Sequence, residues 1–375
     1  MTSILVVDHY YDAVIDSIYG RHPGLAWEDH ATQHARIDDA LFGQTAFQVA
    51  ALRQLGHEAW DSLVNVRPLQ EAWASEHGVR LSPPTRWGLR RRRRWIPWPT
   101  RPDARWMGQA LLAQVRQLKP DIVHIQSMDL LPPEIVAAVR AEVRFVVGQV
   151  AAEFPAEWSY SSYDLVVSSI PGLVDRFRRE GVDAEWLPLA FEPSLLERVP
   201  LTLRDIAVSF VGSFSPSHAS RVEVVEAVAR VAPLRTWTGD IEALPADSPI
   251  RPTIAGVAWG REMYEVLGRS RLTVNNHARI AGTAANNLRL FEATGMGALL
   301  ITEAGSNLGD LFNVGQEVAS YEGPHECAEV VRHYLDHPRE ADAMALAGQQ
   351  RTLREHSWRV RMEQLMHLVE GRMGT

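Results

Sequence analysis

NNLRLFEATGMGALLITE, residues 286–303, sets the frame for the whole chain. Its first part carries apolar residues at helical spacing, and its last part, ALLIT (298–302), is a short apolar run with the character of a buried strand. Gly295 and Gly297 stand between them, where a helix ends and the chain turns. A helix feeding a buried strand is one half of a βα unit. One residue does not fit pure packing. Glu292 sits one turn after Arg289, and a buried carboxylate is costly unless it is paired or holds a ligand. It is therefore either half of an exposed Arg289–Glu292 pair, worth under ~1 kcal/mol, or a cleft residue that holds a polar ligand.

The same alternation runs outward in both directions. SILVVD (3–8), PDIVHI (120–125), RFVVGQ (144–149) and DLVVSS (164–169) read as strands buried on both faces. Between them QTAFQVAALRQLG (44–56), ARWMGQALLAQVRQL (104–118) and PGLVDRFRREG (171–181) have helical spacing. The pattern restarts near residue 200 with strand DIAVSFVG (205–212), helix SRVEVVEAVARV (220–231) and strand LRTWTG (234–239). Helix REMYEVLGRS (261–270), strand RLTVNN (271–276), helix 286–295, strand 298–302 and a strand within QEVASY (316–321) follow. The expectation is an α/β protein of two doubly wound, Rossmann-like domains facing a central cleft. Residues 1–195 form the first domain and 196–356 the second. Residues 357–375 are an amphipathic C-terminal helix able to pack back on the first.

Composition narrows the function. A chain of 375 residues suits two domains. The net charge of −8 leaves no excess of cations for phosphate backbones, so nucleic acid is not the expected partner. The single cysteine, Cys327, excludes a disulfide framework and a Cys-based zinc site. The first strand begins within a few residues of Met1 and meets Asp8 at once, unlike a secretion signal. A cytoplasmic enzyme is the expectation. One stretch, RWGLRRRRRWIPWPTRP (86–102), breaks the order. Its arginines 90–94 among tryptophans and prolines read as a solvated excursion, or as a peripheral anchor on an anionic membrane.

Ligands of such folds bind at the carboxyl ends of strands, against glycine turns and helix N-termini. FVGSFSPSHASR (210–221) offers Gly212, Ser213, Ser215 and Ser217 before a helix bearing Arg221, a combination suited to a diphosphate. NNHARIAGTAANNLRLFEATG (275–295) adds His277, Arg279, Asn287 and Arg289 around Glu292. His30 and His34 have the i, i+4 spacing of metal ligands on one helix face, but no further ligand pattern accompanies them, and no metal site is expected.

NNLRLFEATGMGALLIT, with the following LGDLFNVGQEV and the closing REHSW, resembles the C-terminal half of GT-B glycosyltransferases, and within them the CgeB-like group. The matching positions are Asn287, Arg289, Phe291, Glu292, Gly297, Asp310, Leu311, Phe312, Gly315, Glu317, Arg351, His356, Ser357 and Trp358. LGHEAWDSLVNVRPLQEAWASEHG (55–78), KPDIVHIQS (119–127) and YDLVVSSIPGLVDRFRREGVDAEWLPLAFEP (163–193) resemble the N-terminal half.

The resemblance implies transfer of a sugar from a nucleotide-diphosphate donor, UDP-, dTDP- or GDP-linked, to a small-molecule, glycan or protein acceptor, without a metal or other cofactor. It implies that Glu292 accepts hydrogen bonds from the donor ribose, which suits the two oxygens of a carboxylate. The diphosphate would lie along 212–221 and 279–289. Thr238, Gly239 and Val257 would border the base. Many retaining members carry a second Glu eight positions before the ribose ligand; here that position is Ala284, which leaves the stereochemical course open. A base for an inverting reaction would come from His9, Asp12 or His124 of the first domain, with Asp129 a further option. A nucleotide-sugar epimerase of the same architecture, or a non-catalytic surface-layer or scaffold protein, are the alternative functions.

Overall fold

A computed structural model of the chain describes residues 2–83, 85–91, 95–102, 104–152, 159–200, 203–214 and 219–374. By contact density it divides into two units. The first comprises Met1–Val150, Phe154–Val166 and Val369–Thr375, and the second Ala151–Glu153 and Val167–Leu368.

The uninterrupted apolar runs become central strands because both of their faces are covered. Strand β1 (Ser3–Asp8) has β2 (Glu58–Leu63) on one side. The chain then makes an antiparallel hairpin of β3 (Thr85–Arg91) and β4 (Trp95–Pro102) before returning to the other side of β1 as β5 (Ile122–Ile125). Strands β6 (Phe145–Gln149), β7 (Leu165–Ser168) and β8 (Ala184–Trp186) extend the sheet, in the order β2-β1-β5-β6-β7-β8. Pairings β1–β2, β1–β5 and β5–β6 are parallel. Leu5, Val7, Val123, Ile125 and Val146 pack with Leu111, Val115, Val136 and Val139 of the flanking helices.

The second sheet repeats the plan. Strands β9 (Ile206–Val211), β10 (Leu234–Trp237), β11 (Ile254–Gly256), β12 (Ser270–Asn275), β13 (Leu299–Glu303) and β14 (Ala319–Tyr321) lie in the order β11-β10-β9-β12-β13-β14, every pair parallel. This is the doubly wound order in which the chain steps outward from its first strand, then returns to that strand's other side. Val208, Phe210, Leu272, Val274, Leu299 and Ile301 meet Val225, Val228, Cys327 and Val331 of helices Ala219–Ala229 and Pro324–Asp336. The two doubly wound sheets expected from the sequence are both present.

The differences lie at edges and ends. Strands β2, β8 and β11 were not expected, and each is an edge strand. An edge strand needs no continuous apolar run; EAWDSL of β2 has an exposed Glu58 and half-buried Trp60 and Asp61 among its buried residues. The helix expected over 286–295 begins only at Arg289, since Asn287 turns its amide to Asn275 and Asn276 instead. The strand expected over 316–321 shortens to Ala319–Tyr321 because Gly315, at φ +83°, turns the chain just before it. The excursion at 86–102 is the β3–β4 hairpin. Arg90 and Arg91 lie in β3, while arginines 92–94 fall outside the described residues. Among the described residues no helix is long and apolar enough to cross a membrane.

Candidate active site

The switch point of the second sheet lies between β9 and β12, whose carboxyl ends carry Gly212–Ser213 and Asn276–His277. Arg221, from the first turn of helix Ala219–Ala229, spans this gap. Its Nη1 donates to the Ser213 carbonyl at 2.7 Å and its Nη2 to the Asn276 carbonyl at 2.8 Å. The residue is only 7% exposed, yet no carboxylate forms an ion pair with it among the described residues, and its Nε has no acceptor. Burial, and to a lesser extent the nearby Arg289, lower its pKa to about 10, so it remains a cation at neutral pH. Its guanidinium also lies over the Phe210 ring, 5.7 Å from the centroid, and Glu303 and Asp240 favour the charge from beyond ion-pair distance. A buried cation without a contacting carboxylate suits an anion site.

Glu292, on helix Arg289–Gly295, is 6% exposed. Arg289 Nη1 donates to its Oε2 at 2.9 Å, and Arg289 Nη2 also reaches the Val211 carbonyl at the end of β9, at 3.3 Å. The Tyr264 hydroxyl, from helix Arg261–Arg269, approaches Oε1 at 3.4 Å, a long and weak contact. Burial raises the carboxyl pKa while Arg289 and Tyr264 pull it down. The exposed-pair reading of Glu292 therefore does not hold: the pair exists, but it is buried at the strand ends.

Asn275, Asn276 and His277 continue β12 into the site. Asn287 Nδ2 donates to Asn275 Oδ1 at 2.7 Å and to the Asn276 carbonyl at 3.2 Å, which leaves its own Oδ1 without a partner. His277 accepts from the Asn286 N–H on Nδ1 at 3.3 Å and faces the Glu303 carbonyl with Nε2 at 3.1 Å. That arrangement sets the neutral tautomer, and burial lowers its pKa to about 4. Across β10, Asp240 accepts from Ser213 Oγ at 2.6 Å and from the Phe214 N–H at 2.8 Å, closing the turn after β9. The Thr238 hydroxyl accepts from the Asp240 N–H at 3.1 Å. Gly239 is exposed and Val257 is 47% exposed beside it. Arg279 is exposed on the short turn Arg279–Ala281. Ser215 and Ser217 lie outside the described residues.

The sequence candidates Gly212, Ser213, Arg221, Thr238, His277, Asn287, Arg289 and Glu292 thus gather at the carboxyl edge of one sheet. Tyr264, Asp240 and Glu303 were not anticipated. Glu303 is the last residue of β13 and Asp240 lies three residues beyond β10, and neither belongs to a recognisable motif. Tyr264 gave no signal, because an aromatic on an amphipathic helix reads as core.

In the first unit, β1 and β5 flank the corresponding switch point. His9 follows β1, and its Nδ1 is 3.7 Å from Asp8, an ion pair when the imidazole is protonated. Asp8 foremost, with Asp129 and Asp12, raises the His9 pKa against the opposing effect of burial. Asp12 is exposed at the start of helix Asp12–Arg21. His124 is wholly buried within β5, next to Gln126, and desolvation lowers its pKa to about 3. His30 and His34 do face each other, with ring centroids 5.7 Å apart, but His34 is engaged by Asp61 at 2.9 Å and Asp38 at 3.3 Å. Among the described residues no three His, Cys, Asp or Glu side chains assemble to hold a metal ion.

Residues 235–367 match the family model described as glycosyl transferase-like. Solved structures align with the entire chain. The Anabaena protein HepE, solved with UDP-glucose, superposes with a TM-score of 0.61 at 10% identity, over 99% of this chain and 100% of its own. The protein has the GT-B glycosyltransferase fold. A glycosyltransferase from Rickettsia africae (TM-score 0.58, 12% identity, 100% and 99% covered) shares it. So does the sucrose-phosphate synthase of Thermosynechococcus elongatus (0.56, 13%, 98% of each chain). At these identities the likeness concerns architecture alone. No curated protein matches the sequence. The glycosyl transferase-like match in this GT-B chain runs from within β10 through β14 and includes His277, Asn287, Arg289 and Glu292, while Gly212, Ser213 and Arg221 precede it.

Proposed function

We propose that this GT-B protein transfers a sugar from a nucleotide-diphosphate donor to an acceptor, the second unit binding the donor. The observation that carries the reading is Arg221, a buried guanidinium with no acidic partner among the described residues, at the switch point of a doubly wound sheet. The donor diphosphate supplies the missing negative charge there, with Arg289 beside it. Glu292, anchored on Oε2 by Arg289, keeps Oε1 for the ribose diol, since the long Tyr264 contact is easily displaced. Thr238, Gly239 and Val257 border the base. In this reading the phosphate charge is met by guanidinium groups, with no metal ion required. HepE, solved with UDP-glucose, lends support to a sugar nucleotide as the ligand class. The finer placement in the CgeB-like group rests on the Asn287–Arg289–Phe291–Glu292 spacing and the closing His356–Ser357–Trp358.

The test is calorimetry of the full chain with UDP, dTDP, GDP and their glucose or mannose derivatives. The reading expects one nucleoside diphosphate to bind, with that affinity lost in Arg221→Ala. Absence of binding to every member of the panel sinks it. Release of the nucleoside diphosphate that depends on an added acceptor separates a transferase from an epimerase.

A further inference from the structure

Glu303 closes β13 and lines a groove of about 370 Å³ with His277, Gly282, Thr283 and Ala284, all within the second unit. Its two carboxylate oxygens are treated differently. Oε2 is fixed, accepting from Asn276 Nδ2 at 2.8 Å and from the His277 N–H at 3.1 Å. Oε1 has no hydrogen-bond partner among the described residues, and no cation pairs with the group there. The neighbouring imidazole does not neutralise it. His277 is held in its neutral form by the Asn286 N–H on one side and the Glu303 main-chain carbonyl on the other. The remaining lining is small: Gly282, at φ +62°, and the side chains of Thr283 and Ala284 leave the groove open.

A carboxylate clamped by one oxygen and open on the other is a rigid acceptor. It repels phosphate, so its natural ligand is a hydroxyl. It is also tied to the anion site, because Asn276 donates to Glu303 with its side chain and accepts from Arg221 with its carbonyl. A ligand with phosphates at Arg221 therefore has its next group close to this groove. We propose that the groove receives the sugar of the donor and that Glu303 Oε1 accepts a hydrogen bond from a ring hydroxyl, which makes Glu303 a determinant of sugar specificity. This rests on the nucleotide-sugar reading of the Arg221 site.

Glu303→Gln is the discriminating variant. The Gln carbonyl can still accept from Asn276 and the His277 N–H, while an NH₂ group replaces the acceptor facing the groove. Wild type, Glu303→Gln and Glu303→Ala are titrated with UDP, GDP and dTDP and with UDP-glucose, UDP-N-acetylglucosamine, GDP-mannose and dTDP-glucose, and melting temperatures are recorded. In Glu303→Gln the affinity for the preferred sugar nucleotide is expected to fall at least tenfold. Affinity for the matching nucleoside diphosphate and the melting temperature stay within error of wild type. Equal loss for both ligands, or no loss for either, overturns the assignment and leaves Glu303 a strand-end brace. So does a wild-type protein that binds the nucleoside diphosphate no more weakly than every sugar nucleotide and shows no Glu303→Gln effect. A wild type that binds no nucleotide at all overturns the underlying reading, and this one with it.

Discussion

Arg289 Nη1 and Glu292 Oε2 meet at 2.9 Å across one helical turn, with the carboxylate 6% exposed. The same spacing on a solvated helix face is worth a few tenths of a kcal/mol. Here the pair is buried, so removing one partner strands the other's charge. Glu292→Ala is expected to cost about 3 kcal/mol of stability and to weaken nucleotide binding, whereas Glu292→Gln keeps more of the stability and still loses ribose affinity. Denaturation midpoints and calorimetry on both variants check this. Unchanged nucleotide affinity in both rules out the ribose role.

Arg221 has two carbonyl acceptors and no ion-paired acid among the described residues. Arg221→Lys retains the charge but cannot bridge Ser213 and Asn276 with a planar fork. It should lower nucleoside diphosphate affinity at least tenfold, with little change in affinity for the uncharged nucleoside. A parallel loss of nucleoside affinity would instead mean that Arg221 only braces β9 against β12.

Phe291, Phe312 and His356 form a ring cluster with centroids 5.0–5.9 Å apart, and Phe312 is wholly buried. His356 Nε2 also faces the Leu311 carbonyl at 2.8 Å. These residues belong to the same motif as Glu292 but do a different job, which is to pack the helix against the following segments. Phe312→Ala should cost about 3–5 kcal/mol while the folded fraction binds nucleotide normally. A binding defect in protein that melts like wild type would contradict this division.

His124, His277 and His356 are buried and neutral, with pKa values lowered to about 3, 4 and 4 from 6.5, in each case chiefly by desolvation. The unfolded chain therefore takes up more protons than the folded one below pH 6.5. Stability is fully present above that value and is lost as the pH falls toward 4, by about 3 kcal/mol for His277 alone. Glu292, whose carboxyl is raised by burial, acts in the opposite sense and offsets part of the loss. Thermal melts between pH 7.5 and 4 should show a falling midpoint, with a shallower acid limb in His124→Gln. A midpoint flat across this range would show that the imidazoles become solvated before they titrate.

His9 is the candidate base best placed to titrate. Asp8 raises its pKa, so the neutral form able to take a proton predominates only above the ordinary histidine range. If His9 deprotonates the acceptor, transfer rate rises with pH through that raised value, and His9→Gln lowers turnover without changing donor affinity. A rate profile identical in His9→Gln removes it from the chemistry.

Much of the polar cluster at the strand ends of the second sheet was legible in the sequence, because a parallel sheet brings strand ends together wherever they lie in the chain. Once VSFVG, TVNN and ALLIT were read as strands, Gly212, His277 and the residues before Glu292 had to share one edge. Glu303 and Asp240 lie on that same edge but carried no pattern of their own, and Tyr264 lay in an ordinary amphipathic helix. The edge strands β2, β8 and β11 were hidden for a related reason. Half-solvated strands need no apolar run, so nothing marks them until a neighbour is in place.

By itself the sequence determined two doubly wound α/β halves, the helix–turn–strand unit at 286–303 and the set of polar residues around Glu292. Periodicity and glycine placement are local properties, fixed by burial and backbone sterics. The joint burial of Arg289 and Glu292 comes instead from tertiary packing, as do the span of Arg221 from β9 to β12 without an ion pair and the unbonded Glu303 Oε1, both among the described residues. Those depend on which strands are neighbours and on the dielectric around each charge, which are set by packing between segments far apart in the chain.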